Sequence, residues 1–164
     1  MAAFSFKEFN INHEQSFKVG TDGVLLGTWV NVDQARDILD IGSGSGLIPL
    51  IMAQRTGKAN IVGVEIDDKS FQESVQNVTN SPWADRVDIY HDTVQAFSEK
   101  REEKFDLIVS NPPYFINGTK SAKKQKNVAR HTGKLPFEDL LIVSNKQLRQ
   151  EGRLAIILPK EEGE

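Results

Sequence analysis

Apolar residues in this chain gather into short blocks that recur along its length, with amphipathic stretches between them. Residues 37–41 (DILDI), 61–66 (IVGVEI), 87–91 (VDIYH), 105–110 (FDLIVS) and 154–158 (LAIIL) are rich in Ile, Val and Leu and are bounded by polar residues, glycine or proline. They read as strands of a covered sheet, because apolar side chains fill runs of positions rather than strictly every second one. Residues 47–55 read as a helix entered from glycines. Asp68 is placed to cap a second helix running to about Asn80, where Ser81-Pro82 halts it. Pro136 at a first helical turn, with Glu138 and Asp139 near the positive helix end, opens a third that Gly152 closes. Such alternation predicts an α/β fold: a mainly parallel twisted sheet with helices on both faces. Ahead of it, Phe4, Phe6, Phe9 and Ile11 are spaced for a short strand or extended arm, and Asp22 for the cap of a helix over 23–30. No repeat or long linker divides the chain. It reads as one structural domain, with 1–34 as an N-terminal arm and helix packing on the site and 35–164 as the main unit.

Composition narrows the class. The chain has 164 residues, 38% hydrophobic and 26% charged, the balance of a globular protein with a core of its own. Its longest apolar stretch, Leu47–Ala53, is seven residues with Pro49 inside it, too short to span a bilayer. The opening residues lack the apolar run of a secretory signal. Zero cysteines remove disulfides, thiol catalysis and cysteine–zinc sites, and the cytoplasm is the default compartment. Net charge is −3, which argues against a nucleic-acid partner until its distribution is considered. From Leu107 to Phe137 there are six basic residues and no acidic one, while the remainder holds 14 basic and 23 acidic residues, a net −9. One positive segment on an acidic body points to an anionic partner.

Three groups of residues carry chemistry. Asp40, Gly42, Gly44 and Gly46 form D-x-G-x-G-x-G at a strand end. Glycines there let the backbone turn tightly and approach a ligand with no Cβ in the way. The dinucleotide pattern G-x-G-x-x-G would need glycine at position 47, where Leu47 stands. A carboxylate before the turn suits a ligand with an ammonium group better than a pyrophosphate. Glu65, at the end of the second strand, is placed to accept hydrogen bonds from two ribose hydroxyls. Asp92 adds an acceptor past the third strand, for an adenine amine or as a helix cap. Asn111-Pro112-Pro113-Tyr114 follows the fourth strand. Two prolines remove two N–H donors and leave the Asn111 oxygen and the Pro112 carbonyl as acceptors beside an aromatic ring. That arrangement fits a planar NH2 group stacked on Tyr114. An ordinary proline turn remains the alternative. His13 and His131 read as loop residues, Trp29 and Trp83 as packing residues, and no metal site assembles.

Together these motifs resemble the class I S-adenosylmethionine-dependent methyltransferases, and among them the amino-methylating group with N-P-P-Y. Residues 17–27 (FKVGTDGVLLG), 39–46, 80–84 (NSPWA), 105–114 and Ala129-Arg130 are similar to the bacterial tRNA(Val) adenine-N6 methyltransferases. The resemblance implies a Rossmann-like fold, S-adenosyl-L-methionine as cofactor and tRNA as partner, with methylation of the adenine 3′ of the anticodon. By position, Asp40, Gly42, Gly44 and Gly46 would cradle the methionine and ribose portion. Glu65 would hold the ribose diol and Asp92 the cofactor's adenine, with Ile66 and Thr93 beside them. Gly20, Thr21 and Asp22 would close the methionine end. Asn111, which also borders the cofactor, would hold the target base with Pro112, Pro113 and Tyr114. Lys120, Lys123, Lys124, Lys126 and Arg130 follow that pocket, where an RNA backbone would pass. Members of the family carry seven strands; five are visible here, so the chain reads as truncated after strand five, before a last helix and antiparallel hairpin. Two rivals stand beside this expectation: a protein glutamine N5-methyltransferase, whose substrate amide is also a planar NH2, and a cofactor-binding module without transferase activity.

Overall fold

A computed structural model describes residues 3–14, 16, 19–112 and 135–158. Strands β1 (Ala3–Ser5) and β2 (Asn10–Asn12) form an antiparallel hairpin, followed by helix α1 (Thr21–Trp29). The main unit then runs β3 (Asp37–Ile41), α2 (Leu47–Arg55), β4 (Asn60–Glu65), α3 (Asp68–Thr79), β5 (Val87–His91), α4 (Val94–Lys100), β6 (Phe105–Ser110), α5 (Phe137–Gln147) and β7 (Leu148–Ile156). The five strands of its sheet lie in the order β5-β4-β3-β6-β7, every neighbouring pair parallel. Order reverses between β3 and β6. In open α/β sheets the crevice outside the carboxyl ends of the strands at such a reversal is where ligands bind.

Each face of the sheet is covered, which explains the strongly apolar central strands. Ile38, Ile61, Val87, Leu107 and Val109 pack with α2, α1 and the N-terminal Phe9 and Ile11. Leu39, Ile41, Val64, Phe105 and Ile108 pack with Val94 and Phe97 of α4 and Leu140 and Val143 of α5. Helix α2 is buried from Leu47 to Ala53 because it lies between the sheet and α1. α1 approaches it closely at Gly27, where an added Cβ would stand 3.0 Å from Ile51 Cδ1. No described helix is long and apolar enough to cross a membrane.

Several boundaries differ from those read in the sequence. Asp67, not Asp68, caps α3, its side chain accepting the Ser70 N–H at 2.9 Å. Gly20 is the N-cap of α1, and Asp22 sits in its first turn, where a carboxylate meets the positive helix end. Pro136 is the N-cap of α5 rather than its first turn, and α5 stops at Gln147. Gly152 therefore closes no helix. It lies inside β7, which begins at Leu148 and ends at Ile156 instead of covering 154–158. The register slips there: Phe105 pairs with Leu148 but Leu107 with Arg153, so β7 bulges outward. A Cβ on Gly152 would stand 2.9 Å from the carbonyl oxygens of Arg149 and Phe105, which is why the bulge needs glycine. β4 ends at Glu65, leaving Ile66 outside the strand. Helix α4 follows β5 where Asp92 offers a helix cap, but the cap is Thr93, not Asp92. Trp29 is 80% exposed and packs no core, whereas Trp83 stacks edge-on against Phe9 at 5.6 Å.

Candidate functional site

Four strand ends line up along the side of the sheet where the reversal opens, β3 and β6 at the reversal itself and β4 and β5 beyond β3. Register pairs Ile41 with Val64 on one side and Ser110 on the other, and Glu65 with His91. Gly42, Ile66, Asp92 and Asn111, the residues that follow β3, β4, β5 and β6, therefore come out along one edge of the sheet. Ser110 fixes β6 against β3 by donating its hydroxyl to the Ile41 carbonyl at 2.8 Å, fully buried.

The turn after β3 is built from left-handed glycines. Gly42, Gly44 and Gly46 have φ of 77°, 53° and 81°, conformations that other residues adopt only with strain. No atom lies within 4 Å of where a Cβ would stand on Gly42 or Gly44, so the surface of the turn is bare backbone. The turn is held by the Gly42 and Ser43 N–H groups donating to the Val64 carbonyl, and by Gly46 N–H donating to the Ser43 carbonyl at 2.8 Å. Gly63 lies beneath it: a Cβ there would stand 2.8 Å from Ser43 Oγ and 2.6 Å from Ile89 Cδ1.

Two carboxylates flank the turn. Glu65, 8% exposed, accepts the Gly44 N–H on Oε2 at 2.7 Å and the Asp67 N–H on Oε1 at 2.8 Å. It thus links the turn to the start of α3. Ile66, beside it, is 45% exposed and offers an apolar surface at the rim. Asp40 is different. It is fully buried, and neither carboxylate oxygen has a hydrogen-bond partner among the described residues; the same holds for Ser43 Oγ. Burial, reinforced by the nearby negative charge of Glu65, pushes the Asp40 carboxyl well above the usual aspartate range. A buried acid with unused acceptors next to a bare turn suits a cationic or hydrogen-bond-donating ligand group.

Asp92 and Thr93 carry local roles that the sequence reading missed. Asp92 Oδ2 pairs with Lys100 Nζ at 2.6 Å, and Oδ1 accepts the Thr93 N–H at 2.9 Å. The Lys100 hydrogen bond outweighs desolvation and holds this carboxyl below its ordinary range. Thr93 Oγ1 caps α4 by accepting the Ala96 N–H at 3.1 Å. A cleft walled by Tyr90, Phe97 and Arg101 has Asp92 in its lining and no residue of the glycine turn.

Asn111 and Pro112 follow β6, with Asn111 partly buried. Its side-chain nitrogen stands 3.8 Å from where a Cβ would lie on Gly23, and Leu47 Cδ2 is 3.2 Å from the same point. The first turn of α1, with Thr21 and Asp22 after the Gly20 cap, therefore faces the end of β6 and the start of α2. Pro113, Tyr114, Lys120, Lys123, Lys124, Lys126 and Arg130 lie outside the described residues. Among those described, no group of three or more His, Asp or Glu is arranged to hold a metal ion.

The methyltransferase small domain family matches residues 14–163. The tRNA1(Val) (adenine(37)-N6)-methyltransferase of Histophilus somni (strain 129Pt) is 44% identical over 162 residues, which cover 98% of this chain and 69% of that protein. The enzyme of the same description from Trichodesmium erythraeum (strain IMS101) is 47% identical, over 97% of this chain and 68% of its own. Among solved structures, the SAM-dependent methyltransferase from Thiobacillus denitrificans in complex with S-adenosyl-L-homocysteine has a TM-score of 0.58 at 17% identity, covering 93% of this chain and 55% of that one. The S-adenosylhomocysteine-bound Podospora anserina methyltransferase PaMTH1 has a TM-score of 0.60 at 20% identity, over 84% and 52%. Those two share the fold. The chain spans about two thirds of the length of the curated relatives and about half that of the solved chains. Identity at this level over nearly every residue, with one family description from 14 to 163, settles the lineage: the chain belongs to the methyltransferase small domain family.

Proposed function

We propose that this chain transfers the methyl group of S-adenosylmethionine to the N6 amine of adenine in tRNA, at the adenine 3′ of the anticodon of valine tRNA. The observation that carries the reading is the pairing of the bare glycine turn and Asn111 across the sheet reversal, in a chain 44% identical to an enzyme of that description. Bound S-adenosylmethionine supplies an electrophilic methyl carbon on a sulfonium. Asp40 and Glu65 suit it chemically: buried acceptors for a donor-rich ligand, with Ile66 giving an apolar face to its adenine. Glu65 and Asp92 each already accept on both oxygens, Glu65 from the Gly44 and Asp67 N–H groups and Asp92 from Lys100 and Thr93, so each offers the ligand only its remaining lone pairs, whereas both oxygens of Asp40 are unused among the described residues.

On the substrate side, Asn111 and the Pro112 carbonyl accept the two hydrogens of the exocyclic amine, and Tyr114 stacks on the base. This draws the nitrogen lone pair out of conjugation and aims it at the methyl carbon. Bound S-adenosylmethionine would supply the methyl group, its C–S bonding pair staying with a neutral thioether as the N6–C bond formed, and one amine proton would pass to solvent. Positioning and electrostatics carry the rate, with no covalent enzyme adduct. The base leaves its stack to reach Asn111. Lys120, Lys123, Lys124, Lys126 and Arg130 neutralise phosphates of the RNA. Acting on tRNA, the protein works in the cytoplasm.

Incubation with methyl-labelled cofactor, tRNA and a protein fraction tests the assignment. Label is expected in tRNA as N6-methyladenosine. Label in protein glutamine instead would replace the adenine reading with the amide one. Asn111→Ala is expected to lower the single-turnover rate by ~10²–10³, the usual loss for one positioned polar group, with little change in cofactor affinity.

A further inference from the structure

Helix α3 turns a polar side inward. Ser70, Glu73, Ser74 and Asn77 are all buried, at 6%, 6%, 0% and 2% exposure, where an amphipathic helix would place aliphatic residues. Glu73 and Asn77 are one helical turn apart and share a face. Both use it on the N-terminal segment. Glu73 Oε1 accepts the Glu14 N–H at 2.6 Å, and Oε2 accepts the Ser16 N–H at 2.9 Å. Asn77 Oδ1 accepts the Asn12 N–H, and its Nδ2 donates to the Asn12 carbonyl, each at 2.9 Å. The same Nδ2 also donates to the carbonyl of Ser45, inside the glycine turn, at 2.9 Å. One turn back from Asn77, Ser74 Cβ lies 3.3 Å from where a Cβ on Gly46 would stand. The inward side of α3 thus joins three pieces of chain: the end of β2, Glu14 with Ser16, and the turn 42–46.

What this latch governs follows from chain length. Four residue steps lead from Ser16 to Gly20, a reach of at most about 14 Å. Fixing the amides of Glu14 and Ser16 therefore restricts where Gly20, Thr21 and Asp22 enter α1, whose first turn faces Asn111. The latch needs a carboxylate. Two N–H donors point at two different oxygens of Glu73, so an amide in its place would set an NH2 against one of them.

We propose that Glu73 and Asn77 are positioning residues that couple the N-terminal segment to the glycine turn and thereby set the cofactor affinity of the site. The inference rests on the methyltransferase reading of that turn. It predicts a defect that falls chiefly on cofactor binding, because the latch holds the turn 42–46 directly, through Asn77 on the Ser45 carbonyl, and bears on Asn111 only through the first turn of α1.

The test uses Glu73→Gln, with Glu73→Asp as the variant that keeps two acceptors, and three readouts. In Glu73→Gln, amide exchange at Glu14 and Ser16 is expected to quicken, and the dissociation constant for S-adenosylhomocysteine to rise about tenfold, the scale of one charge-assisted hydrogen bond. KM for the cofactor should follow while kcat on tRNA at saturating cofactor stays near the wild type. Glu73→Asp should recover part of the affinity. Loosened amides with unaltered affinity and KM would overturn the proposal alone. Equal loss of exchange protection at Leu39 and Ile108 in the core would overturn it in favour of a general folding role. A wild-type chain that binds no S-adenosylhomocysteine would overturn the methyltransferase reading, and this inference with it.

Discussion

The two ends of the parallel sheet treat their polar groups in opposite ways. At the end where the strands begin, charges satisfy one another. Arg149 reaches Asp106 Oδ1 at 2.6 Å and Asp37 Oδ2 at 2.8 Å, while Asp106 Oδ2 accepts the N–H groups of Arg36 and Asp37 at 2.8 and 3.0 Å. Arg86 donates to the carbonyls of Ala53, Thr56 and Ala59 around the C-terminus of α2, where a cation meets the negative helix end. At the other end, Asp40 and Ser43 are buried without partners among the described residues, three glycines hold left-handed turns, and Ile66 shows its side chain to solvent. The same sheet supports both ends, so the difference is not one of scaffold. Gln147 Oε1, buried without a partner just before β7, and Gln34, with φ of 64° just before β3, stand at the first end, but the unpartnered carboxylate and three of the four positive-φ residues among those described lie where a ligand would complete them.

Removing the acceptor that links turn and strand should break this contrast most sharply. Glu65→Ala deletes the partner of the Gly44 and Asp67 N–H groups together with the carboxylate offered to the ribose. Cofactor binding is expected to weaken by ~1.5–3 kcal/mol, the range for hydrogen bonds to a charged group. Calorimetric titration with S-adenosylhomocysteine measures it. An unchanged dissociation constant would remove Glu65 from the ligand and leave it as a brace for the turn.

Asp40 sharpens the contrast through pH. Its carboxyl titrates above its ordinary range in the folded chain, so the folded state holds a proton that the unfolded state releases. From about pH 4 upward, stability should fall with rising pH by ~1.4 kcal/mol per unit until the folded carboxyl also ionises. Asp40→Asn removes that slope. Urea midpoints for both proteins across the acidic-to-neutral range should converge at low pH and separate as pH rises, the variant being the more stable. The same substitution should weaken cofactor binding, because a neutral amide offers less to a cationic ligand. Parallel pH curves would mean that Asp40 is ionised and paired in solution.

The contrast also marks what sequence could and could not disclose. The glycine turn was legible because left-handed backbone and bare approach are local demands that glycine alone meets. The central strands were legible because burial on both faces writes itself as apolar runs. α3's inward side was not: Glu73 and Asn77 look like a solvated face, and their partners Ser16 and Asn12 lie 57 and 65 residues away. α4 has seven residues with little apolar pattern, and its start rests on Thr93, which the resemblance sets beside the cofactor. Gly152 misled because a helix stop and a strand bulge both ask for glycine, and only the pairing of Phe105 with Leu148 decides between them.

The smallest effect is expected at the satisfied end, and its smallness is the point. Arg149 is 43% exposed at its side chain, and Asp37 and Asp106 are 30% and 26% exposed, so water screens the bridge. Burial opposes ionisation of Asp106, but the hydrogen bonds from Arg149 and from the Arg36 and Asp37 N–H groups outweigh it and hold the carboxyl below its ordinary range. A depressed carboxylate contributes stability above its unfolded pKa, near 4, and loses it as pH falls through the folded value. Arg149→Ala should therefore lower stability at neutral pH by no more than about 1 kcal/mol, less in high salt, and by still less near pH 3. Cofactor affinity should not move, because the bridge lies at the strand beginnings and the glycine turn at the strand ends. Urea midpoints at two salt concentrations and two pH values, beside one S-adenosylhomocysteine titration, check every part. A loss well above 2 kcal/mol would show that the bridge also secures the bulge of β7, next to which Arg149 sits. A change in cofactor affinity would show that the two ends of the sheet are not independent.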